Sequence, residues 1–88
     1  QHHLPPIAVA FGLAVRRLRS KAGLSQEALA ANAELSRGMI YYVERGERQP
    51  TLMTIVALAR ALDLRPSELV QEIDKIRPRP SSGTGSTK

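Results

Sequence analysis

The sequence contains no cysteine, few aromatic residues and no long hydrophobic run. The absence of cysteine excludes a disulfide framework, a thiol nucleophile and a thiolate metal site, and it favours a reducing, cytoplasmic setting. Only 3% of the residues are aromatic although 42% are hydrophobic, so Leu, Ile, Val and Ala must fill the core. The longest uncharged stretch, residues 1–15, is shorter than the roughly 20 apolar residues of a membrane-spanning helix, and Pro5 and Pro6 interrupt it. We therefore expect no transmembrane segment.

The length of the chain indicates how many domains it forms, and its net charge indicates the class of partner. The 88 residues are fewer than the roughly 100–150 of a typical domain, so we expect one domain with one functional surface. Thirteen Lys and Arg residues against eight Asp and Glu residues leave a formal charge of +5. This excess favours a polyanionic partner, either nucleic acid or an anionic membrane surface.

Both ends of the chain have the composition of unfolded segments. Residues 1–6 are predicted to be disordered, and residues 77–88 are predicted to form a flexible tail because proline alternates there and is followed by Ser, Gly and Thr. His2 and His3 have no third ligand nearby, so we interpret them as terminal residues or a tag remnant and expect no metal site. The folding unit is predicted to be residues 7–76.

The apolar periodicity of residues 7–76 predicts an all-α fold of five short helices with no strand. The first helix is expected to end at Gly23, and Ser25, Ser36 and Thr51 are predicted to cap the second, third and fourth helices. Pro66 suits the first position of the fifth helix. The predicted apolar stripes are Phe11, Val15 and Leu18; Leu29, Ala30 and Ala33; Leu35, Ile40 and Val43; Leu52, Ile55, Leu58, Ala59 and Leu62; and Leu69, Val70, Ile73 and Ile76.

The second and third predicted helices form the pattern of a helix-turn-helix, because they are short, joined by a tight turn and carry the small Ala30 where they would cross. Three segments strengthen this interpretation: LRSKAGLSQEALA at residues 18–30, LSRGMIYYVERGERQPTL at 35–52 and ALARALDL at 57–64. Together they resemble the Cro and phage-repressor type of helix-turn-helix domain, also called the xenobiotic-response-element family. The resemblance implies a compact, lambda-repressor-like domain of five helices. It also implies that the third helix enters the major groove of double-stranded DNA, that the unit is usually a dimer on a palindromic operator, and that no cofactor is needed.

The resemblance assigns Ser36, Arg37, Gly38 and Tyr42 to the positions that usually face base edges. A guanidinium can donate two parallel hydrogen bonds to guanine, worth about 1–3 kcal/mol of discrimination, and a phosphate contact by Arg37 is the alternative. Gly38 departs from the family pattern, since it has no side chain, but it permits a close approach of the backbone. Tyr42 could contact a thymine methyl group or a phosphate.

Phosphate contacts are expected from Gln26, Tyr41, Arg45 and Arg48, although loop arginines are often only solvated. The resemblance implies that Gln26 also supports the third helix; the alternative is a solvent-exposed residue at the start of the second helix. Arg16, Arg17 and Lys21 extend the basic surface.

Two further positions have structural roles by resemblance. Arg19 and Glu44 correspond to an internal ion pair that joins the first helix to the end of the third. Glu34 stands where the family often has a left-handed glycine, so we expect a turn that is either slightly strained or closed differently.

The apolar stripe of the fifth helix predicts a dimer interface formed by Leu64, Leu69, Val70, Ile73 and Ile76. A two-fold dimer would place two third helices about 34 Å apart, one turn of DNA. The alternative is that these residues complete the core of the monomer.

These features predict a sequence-specific, DNA-binding transcriptional regulator, most simply a dimeric repressor that occupies its operator. Such a protein is expected to be cytoplasmic and associated with the nucleoid. Restriction-modification controllers and antitoxins share this size and fold, and an antitoxin would also bind a toxin. The alternative is a protein–protein interaction module that keeps the fold without specific DNA recognition. An enzyme is not expected, because the histidines are terminal and no carboxylate pair, Ser/His arrangement or phosphate-binding glycine loop is present.

Overall fold

The computed structural model describes residues 5–78, and all regular structure within them is helical. The helices are α1 (Ile7–Lys21), α2 (Gln26–Ala33), α3 (Arg37–Glu44), α4 (Leu52–Ala61), α5 (Pro66–Gln71) and α6 (Ile73–Ile76). The all-α fold class is confirmed. The predicted fifth helix is divided at Glu72, whose N–H bonds to the carbonyl of Leu69 at 3.1 Å, the tighter spacing of a 3₁₀ turn.

The helices begin where side-chain oxygens can accept from the free N–H groups of the first turn. Ser25 accepts from the N–H of Ala28 at 3.0 Å, and Ser36 accepts from the N–H of Met39 at 3.0 Å. Thr51 opens α4 in the same way, accepting from Thr54 at 3.2 Å. All three predicted caps are therefore confirmed.

The turn between α2 and α3 closes through a left-handed residue, which is the first of the two expected alternatives. Glu34 has φ 58° and ψ 41°, and the N–H of Leu35 returns to the carbonyl of Ala30 at 2.9 Å. This hydrogen bond satisfies a carbonyl of the last turn of α2. A left-handed glutamate costs about 1–2 kcal/mol relative to its right-handed form, so the turn accepts local strain where a glycine would have none.

One core joins all the longer helices. It is formed by buried residues of α1 to α5, which are Phe11, Val15, Leu29, Ala30, Ala33, Ile40, Val43, Leu58, Ala59 and Leu69.

Two predictions about apolar residues are wrong. Leu52 is 74% exposed, because burial needs a neighbouring element as well as helical spacing. Thr54 and Ile55 of the same turn pack inward, but the side of α4 that carries Leu52 is not covered within residues 5–78. Leu69 is fully buried in the single chain and so offers no surface for a dimer.

A buried polar network holds the last turn of α3 against α1 and α2. The predicted ion pair is present: the guanidinium of Arg19 donates from two nitrogens to the carboxylate of Glu44, one of them at 3.0 Å. The side-chain amide of Gln26 donates to the same carboxylate at 3.1 Å. Only 14% of the Arg19 side chain and 3% of the Glu44 side chain are exposed. Three donors therefore compensate the burial of one charged acceptor.

Helices α1 and α3 approach so closely that only glycine fits between them. A Cβ atom on Gly12 would lie 2.7 Å from the carbonyl oxygen of Glu44 and still closer to that of Val43. Both neighbours are backbone atoms of α3, so neither can move without displacing the helix. Gly12 thus fixes the distance between α1 and α3.

The two ends of the described chain meet. Arg77 is half-buried, and its Nε donates to the carbonyl of Pro5 at 3.0 Å, so this residue of the predicted tail belongs to the folded unit. Pro5, Pro6 and Pro78 of the predicted terminal segments are also described, whereas residues 1–4, which include His2 and His3, and residues 79–88 lie outside the described residues. Within residues 5–78 no helix has the length and hydropathy needed to cross a membrane, and no group of three or more potential metal ligands occurs.

We predict that Gly12→Ala destabilises the protein, because the added methyl group forces α1 away from α3. Overpacking of this kind costs about 1–3 kcal/mol. Gly38→Ala is the matched control, since the nearest atom to its added Cβ would be 3.9 Å away, and it should gain up to about 1 kcal/mol from helix propensity. Urea unfolding of both variants checks this, and equal stabilities would contradict it.

Arg19→Ala should lower the free energy of unfolding by about 3–5 kcal/mol, because it leaves the buried Glu44 carboxylate without its cation. The control is Arg17→Ala, which removes the same charge from an exposed position two residues earlier and should change stability by less than about 0.5 kcal/mol. Denaturant unfolding followed by circular dichroism measures both. A small effect of Arg19→Ala would show that the ion pair does not hold α3.

Candidate nucleic-acid interface

The outer side of α3 carries a compact group of exposed residues. Arg37, Tyr41 and Arg45 follow one another at four-residue spacing, which places them in one row along the helix. Gly38 and Tyr42 form the adjacent row and are also exposed. The predicted base-contacting residues therefore lie together on the exposed side of α3, from Ser36 at its N-cap to Tyr42 in its last turn.

Ser36 and Gly38 shape the start of α3 in different ways. The Ser36 oxygen accepts the capping hydrogen bond from Met39, and its hydroxyl proton remains available to a phosphate or base. Gly38 lies in open space, with only the Ser36 hydroxyl oxygen within 4 Å of an added Cβ. The fold does not require glycine here, unlike at Gly12, so packing gives no reason for it.

The two tyrosines form an aromatic pair on this surface. Their ring centroids are 5.2 Å apart with an interplanar angle of 81°, the edge-to-face arrangement that aromatic quadrupoles favour. The guanidinium of Arg45 lies 5.4 Å from the centre of the Tyr41 ring. Tyr41 thus contacts both Tyr42 and Arg45, and both tyrosine side chains remain exposed, to 43% and 44%.

A cleft where α1, α2 and α3 meet lies beside this row. Its lining includes Arg16, Arg19, Gln26, Arg37, Tyr41, Glu44 and Arg45. The Arg19 and Glu44 charges compensate each other, so the three exposed arginines, Arg16, Arg37 and Arg45, leave the cleft positive. Its positive charge suits a phosphate group.

Gln26 supports α3 through Glu44, in line with the supporting role that the resemblance implies. One hydrogen of its side-chain amide is donated to Glu44, which leaves the second hydrogen for the predicted phosphate contact. The residue therefore supports α3 from α2 and faces the cleft. No motif in the sequence indicates this bond, because it depends on how α2 crosses α3.

The loop after α3 contains the two remaining predicted phosphate-binding residues. Arg45 forms an exposed ion pair with Glu47 at 2.9 Å, and the hydrogen bond and negative charge of Glu47 raise the pKa of Arg45 above its ordinary value. Arg48 is exposed and takes part in none of the ion pairs of residues 5–78. A phosphate would bind Arg48 directly, whereas at Arg45 it would compete with the carboxylate of Glu47.

The predicted dimer stripe does not form one surface. Besides the buried Leu69, Leu64 and Ile73 are partly buried and pack on the core. Ile76 is half-buried, and only Val70 is exposed, to 42%. Most of the stripe therefore serves the core of the single chain, which was the stated alternative.

Comparisons with known proteins place the chain among helix-turn-helix proteins. The family model described as a helix-turn-helix domain matches residues 10–72. The control protein C.BamHI of Bacillus amyloliquefaciens is 40% identical over 65 residues, 73% of this chain and 80% of that protein. The uncharacterized HTH-type transcriptional regulator y4dJ of Sinorhizobium fredii is 41% identical over 59 residues, 67% of this chain and 77% of that protein.

Similarity to a solved structure agrees with the sequence comparisons. The restriction-modification controller protein C.AhdI from Aeromonas hydrophila superposes with a TM-score of 0.69 and is 48% identical, over 70% of this chain and 94% of that one. The predicted lambda-repressor-like, helix-turn-helix architecture is thereby confirmed. The chain belongs to the helix-turn-helix family of transcriptional regulators, whose members include restriction-modification control proteins.

Proposed function

We propose that this protein is a sequence-specific transcriptional regulator that places α3 in the major groove of double-stranded DNA. The observation that carries the proposal is the exposed group at the start of α3, where Arg37 projects beside the open backbone of Gly38 and the positive cleft adjoins it. A helix of this width fits the major groove, where base edges can be distinguished by their donors and acceptors.

Each part of the surface has a distinct role in the proposal. Arg37 donates two hydrogen bonds to a guanine, and Gly38 allows the helix backbone to approach the base edges. Ser36 and Tyr42 contact bases at the border of this footprint. Phosphates are held by Gln26, Tyr41, Arg45 and Arg48, which fix the position of α3 without selecting the sequence.

The protein regulates by occupying its operator and catalyses no reaction. We propose a homodimer, because a two-fold arrangement lets two α3 helices contact the halves of one palindrome. The similarity to C.BamHI and C.AhdI favours a restriction-modification controller over an antitoxin with a toxin partner. Such a regulator works in the cytoplasm, where it meets DNA.

Selection from a random duplex library tests this proposal. We expect an enriched palindrome, and Arg37→Ala should weaken binding to it by about 1–3 kcal/mol while nonspecific affinity falls much less. Arg17→Ala removes the same charge from an exposed α1 position that does not line the cleft, so it should leave the ratio of specific to nonspecific affinity unchanged. A library that returns no consensus would instead support an interaction module that keeps the fold.

The salt dependence of binding tests the phosphate contacts. Arg48→Ala should reduce the slope of log affinity against log salt by about 0.9, the value for one phosphate neutralised. Arg45→Ala should have a smaller effect because Glu47 already pairs with Arg45. Arg65→Ala, an exposed residue before α5, is the control that should leave the slope unchanged. An unchanged slope for Arg48→Ala would mean that the residue is only solvated.

A further inference from the structure

The exposed side of α3 contains an open pocket beside the backbone of Gly38. It is lined by Arg37, Gly38, Tyr41 and Tyr42, and its volume is about 280 Å³. Gly38 leaves this space empty, because an added Cβ atom would have only the Ser36 hydroxyl oxygen within 4 Å, at 3.9 Å. Residues four apart are neighbours on a helix surface, so the two tyrosines stand one turn beyond the other lining residues. The pocket therefore has an arginine at one end and two aromatic rings at the other.

The two rings give the pocket an apolar wall of defined shape. Tyr41 and Tyr42 pack edge to face with an interplanar angle of 81°, and this contact limits the rotation of each ring. Both side chains still expose more than two fifths of their surface. An apolar group bound against them would remove aromatic surface from water, which is favourable.

The fold itself gives no reason for a glycine at position 38. Glycine is among the least favourable residues within a helix, because it loses the most backbone freedom on folding. Gly38 is the second residue of α3 and does not have the positive φ of Gly23 and Gly46. No close packing requires it either, in contrast to Gly12. What glycine provides at this position is the empty space itself.

The chemistry of the lining indicates which group of a DNA base fits this space. The apolar group that a natural base presents in the major groove is the C5-methyl group of thymine. 5-Methylcytosine carries the same group at the same ring position. Cytosine instead presents an amino donor, which carboxylates accept well, and no carboxylate lines the pocket. The pocket thus suits a methyl group better than it suits the amino group of cytosine.

We propose that this pocket binds the C5-methyl group of a pyrimidine that neighbours the guanine contacted by Arg37. The assignment rests on the proposed function, since it needs α3 in the major groove, and it adds a second recognised base. The spacing is compatible, because successive nucleotides are about 3.4 Å apart along the DNA axis and successive Cα atoms are about 3.8 Å apart. The methyl group lies beside Gly38, between the Arg37 side chain and the two rings.

Replacing single thymines by uracil in the selected duplex tests the site, because uracil keeps every hydrogen-bonding group and lacks only the methyl group. At the thymine beside the guanine, uracil should weaken binding about fourfold, the loss expected for one buried methyl-sized group. Uracil at a thymine that flanks the palindrome is the control and should leave the affinity unchanged. Equal affinities for the thymine and uracil duplexes, or a consensus in which no thymine adjoins a guanine, would overturn the proposal.

Protein variants test whether the pocket itself selects the methyl group. Gly38→Ala puts a methyl group into the empty space and Tyr42→Ala removes one ring, so each should bring the affinities for the two duplexes close together. Gly38→Ala adds no close contact within residues 5–78, and circular dichroism checks that both variants fold. Arg48→Ala is the matched control, because losing a phosphate contact should weaken both duplexes equally and keep the preference. A preference that survives both pocket variants would contradict the assignment.

Duplexes with a cytosine–guanine pair at the same position distinguish the two sources of the methyl group. Tighter binding of 5-methylcytosine than of cytosine, by about the same fourfold factor, would show that the pocket accepts either source and that binding responds to DNA methylation. A uracil effect without a 5-methylcytosine effect would assign the site to thymine. A library without a consensus would overturn the proposed function and this inference together. A consensus that depends on Arg37 but not on any methyl group would overturn this inference alone.

Discussion

The buried carboxylate of Glu44 is the group on which the position of α3 depends. It accepts hydrogen bonds from Arg19 of α1 and Gln26 of α2, so three helices meet at one charged group. Gly12 sets the same junction sterically, because the carbonyl oxygens at the end of α3 leave no room for a Cβ atom. The hydrogen bonds of Glu44 and the steric limit at Gly12 therefore both act on the last turn of α3. A buried charge that needs several donors tolerates few alternative arrangements.

This junction holds some residues of α3 against the other helices and leaves others free to contact DNA. One side of α3 is buried and carries Ile40, Val43 and Glu44, while the opposite side is exposed and carries Arg37, Gly38, Tyr41 and Tyr42. Arg16, Arg37 and Arg45 surround the cleft that the junction creates. Because DNA-binding side chains must be held within a narrow range of positions, a rigid base for α3 is part of how it would recognise a sequence.

Local signals in the sequence were sufficient to predict most of the secondary structure. Ser25, Ser36 and Thr51 each begin a helix because their side chains accept from a free N–H group, and this chemistry is visible in the sequence. The left-handed Glu34 and the Arg19–Glu44 pair came from the family resemblance, since they join residues that spacing alone does not connect. Burial was harder to predict. Leu52 and Leu69 both fit helical stripes, yet one is exposed and the other is fully buried, because the neighbouring helices decide the outcome.

Amide chemical-shift mapping by NMR, with the selected duplex and with an unrelated duplex of equal length, tests the central claim most directly. The account predicts that residues 36–42 shift strongly with the selected duplex and much less with the unrelated one, while α5 and α6 change little with either. Equal shifts with both duplexes, or changes centred on α5 and α6, would contradict the claim that α3 recognises the DNA sequence.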